Sequence, residues 1–148
     1  MSERIEIPDD VERTEIDAFV AASADAVWEL WTTVAGLEQW WWPQFDDTRY
    51  EVDAREGGWY RFHTSTGGFG VQGRYLQLDE GKRIVQSWDW LGGGEELQGA
   101  EQLVIVDFSE LGDGTLVRVT QTAPLDELDD LREGWQDTLT RLEEHFDD

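Results

Sequence analysis

The C-terminal end of the chain carries an apolar stripe at helical spacing, and this stripe constrains the fold more than any other feature. Its members recur every three or four residues: Leu128, Leu131, Trp135, Leu139, Leu142 and Phe146. Such spacing places apolar side chains on one face of a helix, and that face must be buried against another layer. Acidic residues such as Asp129 and Asp130 suit its N-terminal end. We therefore predict one long helix over 125–146.

The residues before this helix alternate instead with the period of β-strands, separated by glycine-rich turns. A first strand is predicted over 14–21, and Ser23 is positioned to cap a helix that runs to about Thr33. A short second helix or a turn is predicted across 36–40. The further predicted strands cover 50–52, 59–64, 71–78, 83–91, 101–109 and 115–121. This order predicts an α+β fold.

The length of 148 residues predicts a single domain over 1–148, since domains average ~150 residues. Residues 1–12 are polar and are expected to form an arm or an edge strand. The N-terminus lacks the apolar stretch of a signal peptide, and no run of residues is apolar and long enough to span a membrane. We therefore expect a cytoplasmic protein.

The charge of the chain excludes several kinds of partner. It has 34 Asp and Glu against 11 Lys and Arg, a formal net charge of −23. Nucleic acids and anionic membranes repel such a surface. The acids are spread along the chain and Lys82 is the only lysine, a balance that resembles halophilic cytoplasmic proteins working in molar salt. An acidic surface for a basic partner is the alternative.

Other chemistry-bearing motifs are few. With no cysteine, the chain has no disulfide, thiolate nucleophile or Cys-based zinc site. Its two histidines, His63 and His145, are far apart in sequence, so we expect no metal site and no cofactor. The glycines of 68–73 match G-x-G-x-x-G, but a strand follows them where a dinucleotide-binding motif requires a helix. We interpret them as hairpin glycines.

Nine tryptophans are distributed over the predicted helices and strands. They predict either a large aromatic core or an apolar cavity with an aromatic lining, the usual form of a small-ligand site. Gly134 lies in the middle of the last helix, where glycine costs ~1 kcal/mol relative to alanine. Close approach of another backbone, or room for a ligand, would explain it.

Several segments together resemble one known superfamily. They are Ala22–Thr32, Leu37-x-x-Trp40-Trp41, Gly57–Phe62, Gly73-Arg74-Tyr75 and Gly134-Trp135. The chain resembles the START-like, or SRPBCC, superfamily, and within it the subgroup related to the C-terminal domain of the activator of Hsp90 ATPase. The resemblance implies a helix-grip fold, in which a seven-stranded antiparallel sheet curves around a long C-terminal helix and encloses a hydrophobic cavity. It implies no single activity, since members include lipid carriers, polyketide cyclases and co-chaperone domains.

The resemblance also implies a set of pocket residues by position: Trp31, Trp42, Tyr60, Phe62, His63, Tyr75, Trp88, Trp90, Leu131, Gly134 and Trp135. Arg61, His63 and Gln86 are candidate polar groups that would orient a ligand. Strand alternation, however, places Arg61 and His63 opposite Tyr60 and Phe62.

The leading hypothesis is a monomeric or homodimeric, non-enzymatic protein that binds an apolar or aromatic small molecule. One alternative is a cyclase- or dehydratase-like enzyme that uses a pocket His, Tyr or Arg for proton transfer. The other is a co-chaperone module that acts on an ATPase.

Overall fold

The computed structural model describes residue 7 and residues 11–41, 47–64, 68–92, 102–123 and 125–145. The helices are α1 (Ala24–Thr32), α2 (Val34–Trp40) and α3 (Leu128–His145), and a short 3-10 turn, Leu125–Glu127, precedes α3. The strands are β1 (Arg13–Val20), β2 (Arg49–Val52), β3 (Trp59–Thr64), β4 (Phe69–Asp79), β5 (Arg83–Gly92), β6 (Gln102–Leu111) and β7 (Gly114–Thr122).

The strands form one antiparallel seven-stranded sheet in the order β1-β7-β6-β5-β4-β3-β2. The long helix α3 packs against one face of it, which confirms the predicted α+β, helix-grip architecture. We call the face toward α3 the inner face and the opposite one the outer face. None of the helices in the described ranges is long and apolar enough to cross a bilayer.

Local side-chain hydrogen bonds set the boundaries of the first two helices. Oγ of Ser23 accepts from the N–H of Ala26 at 3.3 Å, the predicted cap of α1. Thr33 leaves the helical conformation, with φ −126° and ψ 151°, and its hydroxyl caps α2 by accepting from Gly36 at 3.0 Å. This break turns Val34 outward, where 38% of it is exposed. The helical spacing of Val34 from Leu30 and Trp31 had predicted that it shares their buried face, and that prediction was wrong.

The buried face of α3 carries Trp135, Thr138, Leu139 and Leu142, and it faces the inner side of the sheet. Two hydrogen bonds attach the helix to the edge strand β1. The N–H of Phe19 donates to Glu143 at 3.1 Å, and Nη1 of Arg132 donates to the carbonyl of Glu15 at 3.2 Å. The helix thus covers β1, an edge of the sheet that would otherwise present unpaired backbone groups.

A second, smaller apolar cluster lies on the outer face. Ile7 packs there against Val85 and Ile105, and its carbonyl accepts from Arg13 at 3.5 Å. The predicted N-terminal arm therefore contributes one buried residue. Residues 1–6, together with Phe146 of the predicted stripe, lie outside the described part of the chain.

Candidate functional site

Nine buried aromatic side chains lie between α3, α1, α2 and the inner face of the sheet. We call this group the aromatic interior; its members are Trp31, Trp40, Trp41, Tyr60, Phe62, Tyr75, Trp88, Phe108 and Trp135. Every one of them is at most 6% exposed. The strand alternation predicted from the sequence places Tyr60 and Phe62 of β3 on the inner face of the sheet. The helical spacing places Trp31 of α1 and Trp135 of α3 toward the same space.

Trp135 of α3 lies at the centre of this group. Its ring stacks on Trp31 with centroids 6.1 Å apart and planes at 21°. Its centroid also lies 5.4 Å from that of Trp41, in an edge-on arrangement, and 5.5 Å from that of Trp88. Indole rings from α1, the end of α2, β5 and α3 thus meet at one point, within the range of favourable aromatic pairs.

A line of rings extends from this centre toward β4. Trp41 lies 5.3 Å from Phe62, Phe62 lies 5.1 Å from Tyr60, and Tyr60 lies 5.5 Å from Tyr75, all between ring centroids. The structure therefore brings together six of the residues that the resemblance implied: Trp31, Tyr60, Phe62, Tyr75, Trp88 and Trp135.

Three polar atoms of the aromatic interior have identified protein partners. The indole N–H of Trp40 donates to the carbonyl of Leu30 at 2.8 Å, and the hydroxyl of Tyr60 donates to the carbonyl of Ser87 at 2.5 Å. The indole N–H of Trp135 donates to Gln121 at 2.6 Å. These bonds satisfy groups that would be costly to bury unpaired.

The indole N–H of Trp31 differs from these. Trp31 is only 5% exposed, and its Nε1 is buried without a hydrogen-bond partner among the described residues. A buried donor without an acceptor costs ~1–3 kcal/mol. Its ring packs against Trp135 and lies edge-on to Phe108. The site therefore presents an unsatisfied donor, the indole N–H of Trp31, among aromatic rings.

Ionisable groups inside the site are limited to tyrosines in the described ranges. Burial, with a smaller effect of the nearby Asp53 carboxylate, raises the pKa of Tyr75 well above its usual value. Its phenol therefore stays protonated at neutral pH. The buried polar side chains of the described chain include no histidine, aspartate or glutamate. The chemistry that this interior offers is apolar contact and neutral hydrogen bonding.

Other residues implied by the resemblance lie elsewhere. His63 and Arg61 project from the outer face of β3, as alternation predicted, so they do not share the interior with Phe62. Leu131 is half-buried on α3. Gln86 lies on the inner face and is 6% exposed. The side chains of Trp42 and Trp90 lie outside the described residues.

The structure contradicts one of the two explanations expected for Gly134. A Cβ built at this position meets no atom within 4 Å, and the residue is exposed. No backbone of the described residues approaches it closely, so the explanation by close approach was wrong, and room for a ligand stays a prediction.

Sequence reasoning did not include Trp40, Trp41 and Phe108 among the pocket residues, and Trp41 is the most central of the three. It is 3% exposed and contacts Trp31, Phe62, Trp88 and Trp135. A signal was present: Leu37, Trp40 and Trp41 follow the i, i+3, i+4 spacing of a buried helix face.

No cluster of three or more potential metal ligands occurs among the described residues.

Residues 21–147 of the chain match the model of a family described as activator of Hsp90 ATPase homolog 1-like protein. No curated protein gives a significant match.

Solved structures are similar over most of the chain. DynU16, described as a protein in the dynemicin biosynthetic locus, superposes with a TM-score of 0.76 at 22% identity over 95% of this chain and 48% of DynU16. CalU16 from Micromonospora echinospora gives 0.69 at 24% identity, over 90% of this chain and 75% of CalU16. The Aha1 dimer from Colwellia psychrerythraea gives 0.71 at 19% identity, over 91% and 96%. These likenesses show the fold, and this chain spans about half the length of DynU16.

Proposed function

The chain belongs to the family of activator of Hsp90 ATPase homolog 1-like proteins, and on this premise we propose that it binds an apolar or aromatic small molecule in its aromatic interior. The observation that most directly supports this proposal is the buried indole N–H of Trp31, which has no hydrogen-bond acceptor among the described residues. A ligand with one hydrogen-bond acceptor would satisfy this donor while its apolar body contacts the surrounding rings.

The surroundings of Trp31 define the chemical class of the ligand. The neighbouring side chains are aromatic, and stacked or edge-on rings are favoured at the distances observed around Trp135. The buried polar groups on the inner face are neutral, among them Gln86 and Gln121. Burying a charged ligand there without a counter-charge would be costly. The ligand expected is therefore neutral, aromatic and furnished with a carbonyl or ether oxygen.

The side chains of the aromatic interior favour ligand binding over proton-transfer catalysis. A general base needs a pKa near the working pH, whereas burial raises the pKa of Tyr75 far above it. His63, the alternative candidate, projects from the opposite face of the sheet. DynU16 comes from a biosynthetic locus, a setting that agrees with a small-molecule ligand.

Two matched probes test the proposal. 2-Acetylnaphthalene carries a carbonyl acceptor, and 2-ethylnaphthalene has nearly the same shape without one. We expect the ketone to bind the wild-type protein up to about tenfold more tightly, which corresponds to one hydrogen bond in a buried site. Trp31→Phe keeps an aromatic ring but removes the donor, so the preference should fall to about one. Isothermal titration calorimetry gives both affinities.

Trp28→Phe is the control, because Trp28 lies one helical turn earlier on α1, is only half-buried and contacts Phe108 from the side. This variant should retain the preference for the ketone. The proposal would be refuted if neither probe bound at its solubility limit, or if Trp31→Phe kept the wild-type preference.

We further propose that the protein works in molar salt. Every Asp and Glu side chain whose burial the structure describes is exposed or half-buried, so the acids form a solvated surface. Such a surface repels itself unless salt screens it. The monomeric or homodimeric state remains a prediction.

A further inference from the structure

A depression of about 460 Å³ lies on the outer face of the sheet, on the opposite side from the aromatic interior. Its volume falls within the ~300–1,000 Å³ typical of small-molecule sites. Side chains from β2, β3, β4 and β5 form its rim, and we call it the outer groove. The rim residues are Glu51, Trp59, Arg61, Gln72, Arg74 and Asp89.

The sheet register sets the order of these side chains. Glu51 pairs with Arg61, Arg61 with Gln72, and Gln72 with Asp89, so four side chains cross the sheet in one row. Trp59 pairs with Arg74 in the neighbouring row. The Cβ atoms of residues at paired positions are only ~5 Å apart. One small ligand can therefore place an aromatic ring against Trp59 and an anionic group against Arg74.

A local opening between β4 and β5 produces the floor of the groove. The N–H of Arg74 donates to the hydroxyl of Ser87 at 2.9 Å, and the carbonyl of Ser87 accepts from the hydroxyl of Tyr60 at 2.5 Å. Side-chain hydroxyl groups therefore form hydrogen bonds with backbone groups that would bond to each other in a regular β-ladder. Gly73 permits this arrangement, because a Cβ there would lie 2.1 Å from the carbonyl oxygen of Ser87.

Among the described residues, no ion pair or side-chain hydrogen bond involves the side chain of Arg61, Arg74 or Trp59. The ion pairs seen in the described ranges that involve arginine are those of Arg55, Arg83 and Arg118. Arg61 and Arg74 take part in none of them and are exposed. Trp59 is 48% exposed, an unusual state for a large aromatic side chain in a strand.

We propose that the outer groove binds a small aromatic monocarboxylate. The aromatic ring of the ligand stacks on Trp59, and its carboxylate accepts hydrogen bonds from the guanidinium of Arg74, with Arg61 as the second cation. Arg is suited to this because its planar fork matches a carboxylate. Glu51 and Asp89 stand at the two ends of the row and repel a second negative charge, so the groove discriminates against dicarboxylates.

2-Naphthoate is the probe that tests this proposal, measured by calorimetry at low salt. Arg74→Gln should weaken its binding by ~10–100-fold, the effect of a charge-assisted hydrogen bond. Trp59→Ala should weaken it by ~2–10-fold through loss of ring stacking. Arg132→Gln, on the exposed side of α3, makes the same change of charge outside the groove and should leave the affinity unchanged.

The position of the probe is checked separately through the indole N–H resonances in a nitrogen–proton correlation spectrum. 2-Naphthoate should shift the resonance of the exposed Trp59 and leave that of the buried Trp31 in place. Trp31→Phe should bind 2-naphthoate with the wild-type affinity. The proposal for the outer groove can therefore fail while the proposal for the aromatic interior holds, and the reverse. Equal weakening in Arg74→Gln and Arg132→Gln, or no binding at millimolar concentration, would overturn the proposal.

Discussion

The indole N–H of Trp135 on α3 donates to the side-chain oxygen of Gln121 on β7 at 2.6 Å, across the interface between the helix and the sheet. The amide of Gln121 donates in turn to Gln102 on β6 at 2.5 Å. All three side chains are buried, and Gln121 is 0% exposed. This chain of bonds fixes the position of α3 at the centre of the aromatic interior, because each polar group has one specific partner.

Gln121→Leu should destabilise the protein by ~2–4 kcal/mol, because the partners on Trp135 and Gln102 are both left buried and unpaired. Trp135→Phe removes the donor together with part of the ring system, and the double-mutant cycle separates the hydrogen bond from this loss of volume. In a double-mutant cycle of the two, measured by urea unfolding, a coupling of ~1 kcal/mol or more is expected. Strict additivity would show that the bond does not contribute to stability.

Leu139→Asp should cost several kcal/mol, enough to unfold a domain with a margin of ~5–15 kcal/mol, because it places a charge at a position that is 2% exposed. Thr140→Asp is the matched control, since Thr140 is the next residue on α3 and is exposed. Thermal unfolding followed by circular dichroism distinguishes them. A cooperatively melting Leu139→Asp protein would mean that the buried face of α3 is misassigned.

Gly134→Ala should stabilise the protein by up to ~1 kcal/mol, because the alanine side chain meets open space and a helical glycine is entropically costly. Gly36→Ala, in α2, should have the opposite effect, since its Cβ would lie 2.4 Å from the carbonyl oxygen of Glu29. Urea unfolding of both variants checks the signs. A destabilising Gly134→Ala would indicate a contact at this position.

The melting temperature should rise strongly between ~0.1 M and ~2 M KCl, because salt screens the repulsion among the surface acids and strengthens apolar burial. The formal charge of −23 makes the effect large. Differential scanning calorimetry at fixed pH measures it. An unchanged melting temperature would contradict the high-salt proposal and favour the acidic surface for a basic partner.

Asp17→Asn should destabilise the protein by less than ~1 kcal/mol at neutral pH, because the pair that it breaks is solvent-exposed. Arg118 donates two hydrogen bonds to Asp17, at 2.7 and 3.0 Å, and they lower the pKa of that carboxyl group. A lowered pKa in the folded state means that the stabilisation is complete above the unfolded pKa of ~3.9 and is lost as the pH falls through the folded value. The difference between Asp17→Asn and the wild type should therefore vanish on acidification, as measured by urea unfolding over pH. A difference that did not depend on pH would exclude the ion pair as its cause.

Much of the fold could be predicted because the relevant signals are local. The burial of β1 alternates along the strand, and α3 buries Trp135, Leu139 and Leu142 at the predicted spacing. Ser23 caps α1 through a hydrogen bond three residues along the chain. Such patterns depend only on backbone periods of 2 and 3.6 residues, so a sequence displays them directly.

The positions of the consecutive tryptophans 40, 41 and 42 in the fold could not be predicted fully from such local patterns. Periodicity places Trp40 and Trp41 on one face of α2, but the central position of Trp41 depends on how the end of α2 meets β3, β5 and α3. Similarly, the sequence predicts that His63 and Arg61 share a face of β3. Only the packing of α3 decides that this face is the outer one.

The sequence by itself therefore determined the elements, their order and which side chains share a face of each element, since these follow from local backbone geometry. The tertiary structure alone decided which polar groups find partners. The indole N–H of Trp135 meets Gln121, whereas that of Trp31 meets no acceptor in the described chain, and both are tryptophans on buried helix faces. A hydrogen bond requires an acceptor within about 3 Å and in line with the donor, and residues far apart in sequence supply it only after the layers have packed.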